Sequence, residues 1–179
     1  AGDFTLLVRV PGWANDTTVK VNGERLPGSE AANGQYASIR RVWRVGDVVR
    51  IHLPMPPKRI VNHPRVAENA GCIALRRGPL LYCVEAADHP IGDVRDFVLA
   101  DDAEIVAAQR PEELGGIVVL TADAELESAA PGWDGALYRT VEETLTDQPG
   151  RSSVTLTAIP YYAWANRGAG PMAVWLRRG

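Results

Sequence analysis

Side chains able to do chemistry are sparse in this chain and poorly spaced for it. The three histidines, His52, His63 and His89, show no metal-ligand spacing among them. His52 falls on the polar side of an alternating stretch. His63 and His89 each precede a proline, which holds them in extended or turn backbone. Two cysteines, Cys72 and Cys83, are too few for a disulfide scaffold, and no Cys-x-x-Cys is present. Nor is there a Gly-x-Ser-x-Gly elbow, a phosphate loop or a dinucleotide fingerprint. Glu142 and Glu143 are adjacent and point apart in either strand or helix, whereas glycoside hydrolysis needs two carboxyls facing across a sugar. Asp93, Asp96, Asp101, Asp102 and Glu104 could ring a calcium ion, although a solvated acidic loop accounts for them more simply. No catalytic and no metal-binding residue is assigned on these grounds.

The aromatic segment Pro160 to Gly168 is the one suggestive group. Tyr161, Tyr162 and Trp164 offer flat faces of the kind that stack on sugar rings, and Asn166 and Arg167 beside them could orient hydroxyls. These five are the candidate carbohydrate-binding residues. The competing account is that Pro160 and the nearby glycines make a rigid turn packed on a neighbouring domain or on the end of a sheet. Trp13, Trp43 and Trp175 lie in or beside strand patterns and read as core or interface residues. Trp133, within Pro131-Gly-Trp-Asp-Gly135, reads as a turn anchor.

The elements that would position these residues are strands. The centre of the chain, Asn69 to Glu85, has two apolar runs, Cys72 to Leu75 and Leu80 to Val84, around Arg76-Arg77-Gly78-Pro79. Short, nearly continuous apolar runs fit strands covered on both faces, and by periodicity alone also a buried helix. A two-residue turn at Arg77-Gly78 would set Cys72 opposite Cys83 within disulfide range. Arginine suits primed turns badly, so two buried thiols acting as small hydrophobes are favoured. Upstream, Phe4, Leu6, Val8 and Val10 share a face, Asn22-Gly23 signals a hairpin within Val19 to Leu26, and Tyr36 to Trp43 and Val48 to Leu53 alternate. That pattern predicts about five short strands before Leu53. Downstream, strands are predicted at Phe97 to Leu99, Glu104 to Ala108, Gly116 to Leu120, Val154 to Ala158 and Met172 to Leu176. Between them, Asp123 to Ser153 is polar, with two helical turns at Thr140 to Thr146. Three prolines within Pro54-Met-Pro-Pro57 cannot continue a ladder and mark a boundary. The expected fold is all-β: two small antiparallel β-sandwich units, immunoglobulin-like or jelly-roll-like, over residues 1–56 and 57–179.

Composition excludes several classes. A net charge of -3 over 179 residues, with both signs well mixed, argues against nucleic acid. No apolar run is long enough to span a membrane. Ala1-Gly2-Asp3 leads directly into a strand pattern without a signal-peptide series, which favours a cytoplasmic location, and the start reads as a cut through a longer protein.

Six stretches in order then carry a resemblance: RVPGWA (Arg9 to Ala14), VNG (Val21 to Gly23), GQYASIRRVW (Gly34 to Trp43), GDVVRIHLPM (Gly46 to Met55), ALRRGPLLYCVE (Ala74 to Glu85) and AIPYYAWANRGAGPMAVWL (Ala158 to Leu176). Together they resemble the middle and carboxy-terminal β-sandwich region of glycoside hydrolase family 127, the bacterial β-L-arabinofuranosidase-type enzymes, most weakly across Asp101 to Ser153. The resemblance implies that the chemistry resides in an upstream (α/α)6 barrel, where a zinc-bound cysteine acts as nucleophile in a retaining reaction. The Glu-x-Cys and Cys-Cys ligand patterns of that barrel do not occur here, and Cys83 matches a sandwich position. The implied role is non-catalytic, with zinc only in the barrel. The implied partners are the chain's own barrel, a second copy in a homodimer, and L-arabinose-containing glycans. A stand-alone carbohydrate-binding module and an immunoglobulin-like structural or adhesion domain are the alternatives.

Overall fold

A computed structural model describes residues 2–128, 133, 135–145 and 149–179. The chain divides into two compact units, Ala1–Pro56 and Pro57–Gly179.

The first unit holds four strands, β1 (Gly2–Arg9), β2 (Thr18–Val21), β3 (Tyr36–Trp43) and β4 (Val49–His52). They pair antiparallel as β1 with β3 and β2 with β4. Alternation decides which side chains go inward: Val8, Val19, Val21, Ala37, Ile39 and Trp43 from both ladders form one core. Phe4 stacks on Trp43 at 5.6 Å, and the Trp43 indole N–H donates to the Phe4 carbonyl. Asn22 and Gly23 take positive φ of 52° and 90°, as a primed turn requires, and Val21 and Glu24 exchange backbone hydrogen bonds across it. The return arm stops there. Asn22 instead accepts from the Val48 N–H and donates to Asp47, which ties the turn to the start of β4. Tertiary pairing with β4 thus replaces the hairpin's second arm, and four strands stand where five were predicted.

The second unit contains β5 (Pro57–Ile60), β6 (Cys72–Arg77), β7 (Leu80–Glu85), β8 (Phe97–Leu99), β9 (Val106–Arg110), β10 (Ile117–Glu127), α1 (Val141–Thr144), β11 (Arg151–Pro160), β12 (Met172–Ala173) and β13 (Trp175–Arg178). The ladder runs β6–β7–β11–β10–β8–β13 and back to β6, so the sheet closes on itself. β10 and β11 share eight paired positions, whereas β6–β7, β7–β11, β10–β8 and β8–β13 share two each. The short ladders are corners at which strands pass from one layer to the other. Inside the ring lie Ile73, Leu75, Tyr82, Val84, Phe97, Leu99, Leu120, Leu156 and Leu176. On the other side of the same strands a second cluster forms from Cys83, Ile117, Val119, Ile159 and Ala163. Strands with a core on each face need continuous apolar runs, which is what the two halves of Cys72 to Glu85 supply.

Three local readings change. The β6–β7 turn is Gly78-Pro79, with Arg77 paired to Leu80 and Gly78 at φ 58°. Glycine at the first central position suits a type II′ turn, and Pro79 sits where no ladder donor is needed. Cys72 lies opposite Arg177 and Cys83 opposite Ile159, so neither faces the other and both thiols are unpaired. β10 runs on to Glu127, because Ala122, Ala124 and Leu126 face the core while Asp123 and Glu125 face out. Small alanines between acids hid a strand inside what reads as a polar tract. The excursion therefore spans Ser128 to Gly150, closed by a hydrogen bond from the Ser128 N–H to the Gly150 carbonyl. Its α1 is one turn, started by a capping box between Thr140 and Glu143. Thr146 and the Pro131, Gly132 and Asp134 neighbours of Trp133 lie outside the described residues.

Gly28 sits at φ 80°, and a Cβ there would run into the Ser38 carbonyl oxygen. Gly28→Ala is expected to destabilise the first unit by about 2 kcal/mol or more, from the left-handed backbone plus the clash. Urea unfolding of the variant against the parent chain checks this.

Candidate functional site

Glu85 ends β7 with only 5% of its surface exposed, and an ionised carboxylate cannot stay buried without partners. Its Oε2 accepts from Arg167 Nη2 at 2.6 Å and its Oε1 from the Ala165 N–H at 2.9 Å. Arg167 also forks onto Asp88, at 2.7 and 2.6 Å, and reaches Glu113 at 2.9 Å. Asp88 is placed by the 3-10 turn Ala86–Asp88 that follows β7, and Glu113 by the turn after β9. The hydrogen bonds that Arg167 donates to Asp88 first, then to Glu85, push the guanidinium further above its already high range. His89 completes the cluster. The Thr157 N–H donates to His89 Nε2 at 3.0 Å, which leaves Nδ1 to carry the proton and donate to the Glu85 carbonyl at 2.9 Å. Its ring meets Phe97 edge-on at 4.7 Å.

This cluster fixes the aromatic turn. Tyr161–Ala163 form a 3-10 turn directly after β11, and Ala163 is buried in the second cluster. Ala165 is held at φ 64°, an unfavourable conformation for alanine, by its N–H bond to Glu85. Asn166 Nδ2 donates back to the Ala163 and Trp164 carbonyls. Tyr161, Tyr162 and Trp164 consequently point outward, exposed by 43%, 63% and 39%. The Tyr161 and Trp164 rings sit 5.8 Å apart with 33° between their planes. Of the five candidate sugar-binding residues, Tyr161 and Trp164 thus form one exposed face, and Tyr162 is exposed as well. The donors of Asn166 and Arg167 named above are engaged in holding that face in shape. Glu85, Asp88 and Glu113 were not singled out from the sequence, and His89 was weighed only as a metal ligand; the only signal in reach was the local Glu85-x-x-Asp88-His89 spacing, which is common by chance.

Three of the five acidic candidates, Asp93, Asp96 and Asp101, resolve into arginine partners. Asp93 binds Arg95, whose side chain pulls its carboxyl down to about 2; Asp96 binds Arg177, and Asp101 binds Arg178. Among the described residues no three His, Cys, Asp or Glu side chains gather as metal ligands. The chain's own cysteines do not fit a zinc site. Cys83 is enclosed by Ile117, Val119 and Ile159, and burial first, with Glu85 nearby, pushes its thiol up to about 11. A concavity of about 600 Å³ lies over Asp123, Glu125, Arg151, Ser153 and Thr155, and Arg151 is paired there with Glu125. Nothing in it sets a nucleophile beside a base.

Fold and site define an all-β module whose prominent outward feature is an aromatic turn locked from beneath. Comparison with known proteins supplies its lineage. Residues 57–177 match the profile described as the glycoside hydrolase family 127 C-terminal domain, and residues 1–55 that of the beta-L-arabinofuranosidase, GH127 middle domain. The chain belongs to glycoside hydrolase family 127. It is 36% identical over 177 residues to a non-reducing end beta-L-arabinofuranosidase of Bifidobacterium longum subsp. longum, a match covering 96% of this chain and 25% of the relative. A solved GH127 beta-L-arabinofuranosidase from Geobacillus stearothermophilus T6 superposes with a TM-score of 0.82 at 42% identity, over 99% of this chain and 27% of that one. A second solved protein, described as a glycoside hydrolase, gives 0.83 at 34% identity, over 100% of this chain and 28% of that one. The chain spans about a quarter of the length of these proteins.

Two outcomes follow from the geometry. Arg167→Gln leaves Glu85 buried without its cation and is expected to cost about 3 kcal/mol, with Trp164 emission shifting red as the turn loosens. Urea unfolding and fluorescence read both. At pH 8 a thiol titrating near 11 is about one part in a thousand thiolate, so a thiol reagent should label Cys72 quickly and Cys83 only in denaturant.

Proposed function

We propose that this chain is the non-catalytic β portion of a β-L-arabinofuranosidase-type glycoside hydrolase. In this reading it braces the (α/α)6 barrel that carries the chemistry and lends the exposed aromatics Tyr161, Tyr162 and Trp164 to the rim of the sugar cleft. The zinc expected in that enzyme belongs to the barrel. The observation that carries the reading is the coincidence of two family-domain matches over nearly the whole chain with coverage of only about a quarter of each relative. The lack of fit between Cys83 and a metal-bound nucleophile supports it. A second reading, a carbohydrate-binding module able to act alone, draws on the exposed, preorganised aromatic turn, because an ordered platform loses little entropy on stacking a sugar.

The test has two arms. The chain by itself is expected to release no sugar from a chromogenic β-L-arabinofuranoside with or without zinc; zinc-dependent turnover above a blank overturns the first reading. Arabino-oligosaccharides are expected to perturb tryptophan emission, and Trp164→Ala to lose most of that response. An unchanged spectrum at millimolar sugar removes the platform and leaves only bracing.

A further inference from the structure

Most arginines of this chain that take part in ion pairs lie in the second unit, where Arg95, Arg110, Arg151, Arg167, Arg177 and Arg178 each contact a carboxylate. Lys58, Arg59, Arg65, Arg76 and Arg77 form no ion pair among the described residues, and Lys58 and Arg76 differ from the others in facing each other. They are direct partners in the β5–β6 ladder, so two like charges face each other across it, an arrangement that costs stability. Among the described residues neither forms an ion pair, and both are half-buried. Guarding a sheet edge accounts for Lys58 on the outermost strand β5, but not for Arg76, since β6 is paired on both sides.

The register shows what else lies on that face. Arg76 pairs with Leu81, which is 39% exposed. Two residues on, Cys83 points the same way and pairs with Ile159, and Ala163 of the aromatic turn packs on both. Lys58, Arg76, Leu81 and the turn carrying Tyr161 and Trp164 therefore form one continuous surface across β5, β6 and β7. Arg77, one residue on, alternates to the opposite face, where its guanidinium lies close to the Tyr82 hydroxyl. Unpaired cations beside exposed aromatic rings suit a sugar that carries a carboxylate: the ring faces stack, and the acid supplies the missing counter-charge.

We propose that this surface binds an acidic glycan, with uronate carboxylates on Lys58 and Arg76 and sugar faces on Tyr161 and Trp164. The proposal rests on the reading of the aromatic turn as a sugar platform and adds the chemical class of the sugar. A carboxylate bridging Lys58 and Arg76 relieves the repulsion between them, so occupancy and stability are coupled.

The test titrates the chain with a short oligogalacturonate and, separately, with a neutral arabino-oligosaccharide of similar length, read by tryptophan fluorescence and calorimetry. At low salt the uronate is expected to bind about ten-fold more tightly, and the advantage to shrink several-fold at half-molar salt. Lys58→Gln and Arg76→Gln are each expected to remove most of the advantage, leave neutral-sugar binding in place, and keep or raise the melting temperature. A uronate that binds no better than the neutral sugar, or an advantage that survives both substitutions, overturns the acidic-glycan proposal while the neutral platform stands. Failure of both sugars overturns the platform as well. If the substitutions spare the uronate and instead weaken attachment to the rest of a longer parent protein, the cations serve an acidic protein surface and the glycan proposal falls.

Discussion

A carboxylate kept out of water is the constraint from which the outward face of this protein follows. Glu85 is fixed at the end of β7, beneath the loop that leaves β11, and burial leaves it no solvent to satisfy its oxygens. Arg167 has to come to it, and in coming it draws Asp88 and Glu113 onto the same guanidinium. The Glu85 oxygen that Arg167 leaves over takes the Ala165 N–H, which sets the backbone of the aromatic turn. His89, wedged between the Glu85 carbonyl and the Thr157 N–H, closes the arrangement from the strand side. Three carboxylates around one cation is a surplus of negative charge, and they come from two segments, Glu85 and Asp88 at the end of β7 and Glu113 after β9, so the guanidinium fastens both to the turn that carries it. The side chains placed to orient a sugar hydroxyl are the ones consumed in shaping the surface on which the aromatics stand.

The closed ladder explains why the same strands can both form a core and support a site. Successive residues of β7 serve different clusters: Tyr82 and Val84 point into the ring, while Cys83 points to the second cluster under the aromatic turn. Tyr82 ends in a hydrogen bond to the Val118 carbonyl, so its phenol is satisfied at the rim of the ring. Cys83 has no such outlet. Burial suppresses its ionisation, and its contribution is volume, filling the space between Ile159 and Ala163 that holds the turn against the sheet. A cysteine in this position supports the aromatic face by packing rather than by reactivity.

How far the sequence could be read depended on whether a feature is local. β3 and β8 were legible to the residue, because alternation or a short apolar run bounded by turn residues is a property of neighbouring side chains. β10 was read seven residues short, since Asp123-Ala-Glu125 looks polar until Ala122 and Ala124 are seen to face inward beside Leu120. Asn22-Gly23 did make its turn, but whether an arm follows depends on what Val21 pairs with, and that is β4, well over twenty residues on. The Cys72–Cys83 pairing depended on a turn displaced by one residue from where it forms, and one residue exchanges the faces of a strand. The ionic cluster was out of reach altogether. Arg167 and Glu85 are 82 residues apart, and nothing in either neighbourhood marks the other. The exposed aromatics were visible in sequence, but what holds them in place was not.

Arg167 and Arg76 show the same side chain under opposite conditions. One has more carboxylate around it than it can neutralise, and the segment it anchors is fixed. The other is set against Lys58 with no carboxylate partner among the described residues, although the chain as a whole carries a net charge of -3. Acidic groups are therefore not in short supply; they are distributed to some arginines and kept from others. Folding would relieve the Lys58–Arg76 contact with any single Asp or Glu at the neighbouring outward position, and Leu81 occupies it instead. An apolar residue beside two unpaired cations, continuous with exposed aromatic rings, lowers the stability of the isolated unit and leaves charge and ring faces available together. For a segment that amounts to about a quarter of its relatives, that arrangement is understandable if the counter-charge comes from outside the chain.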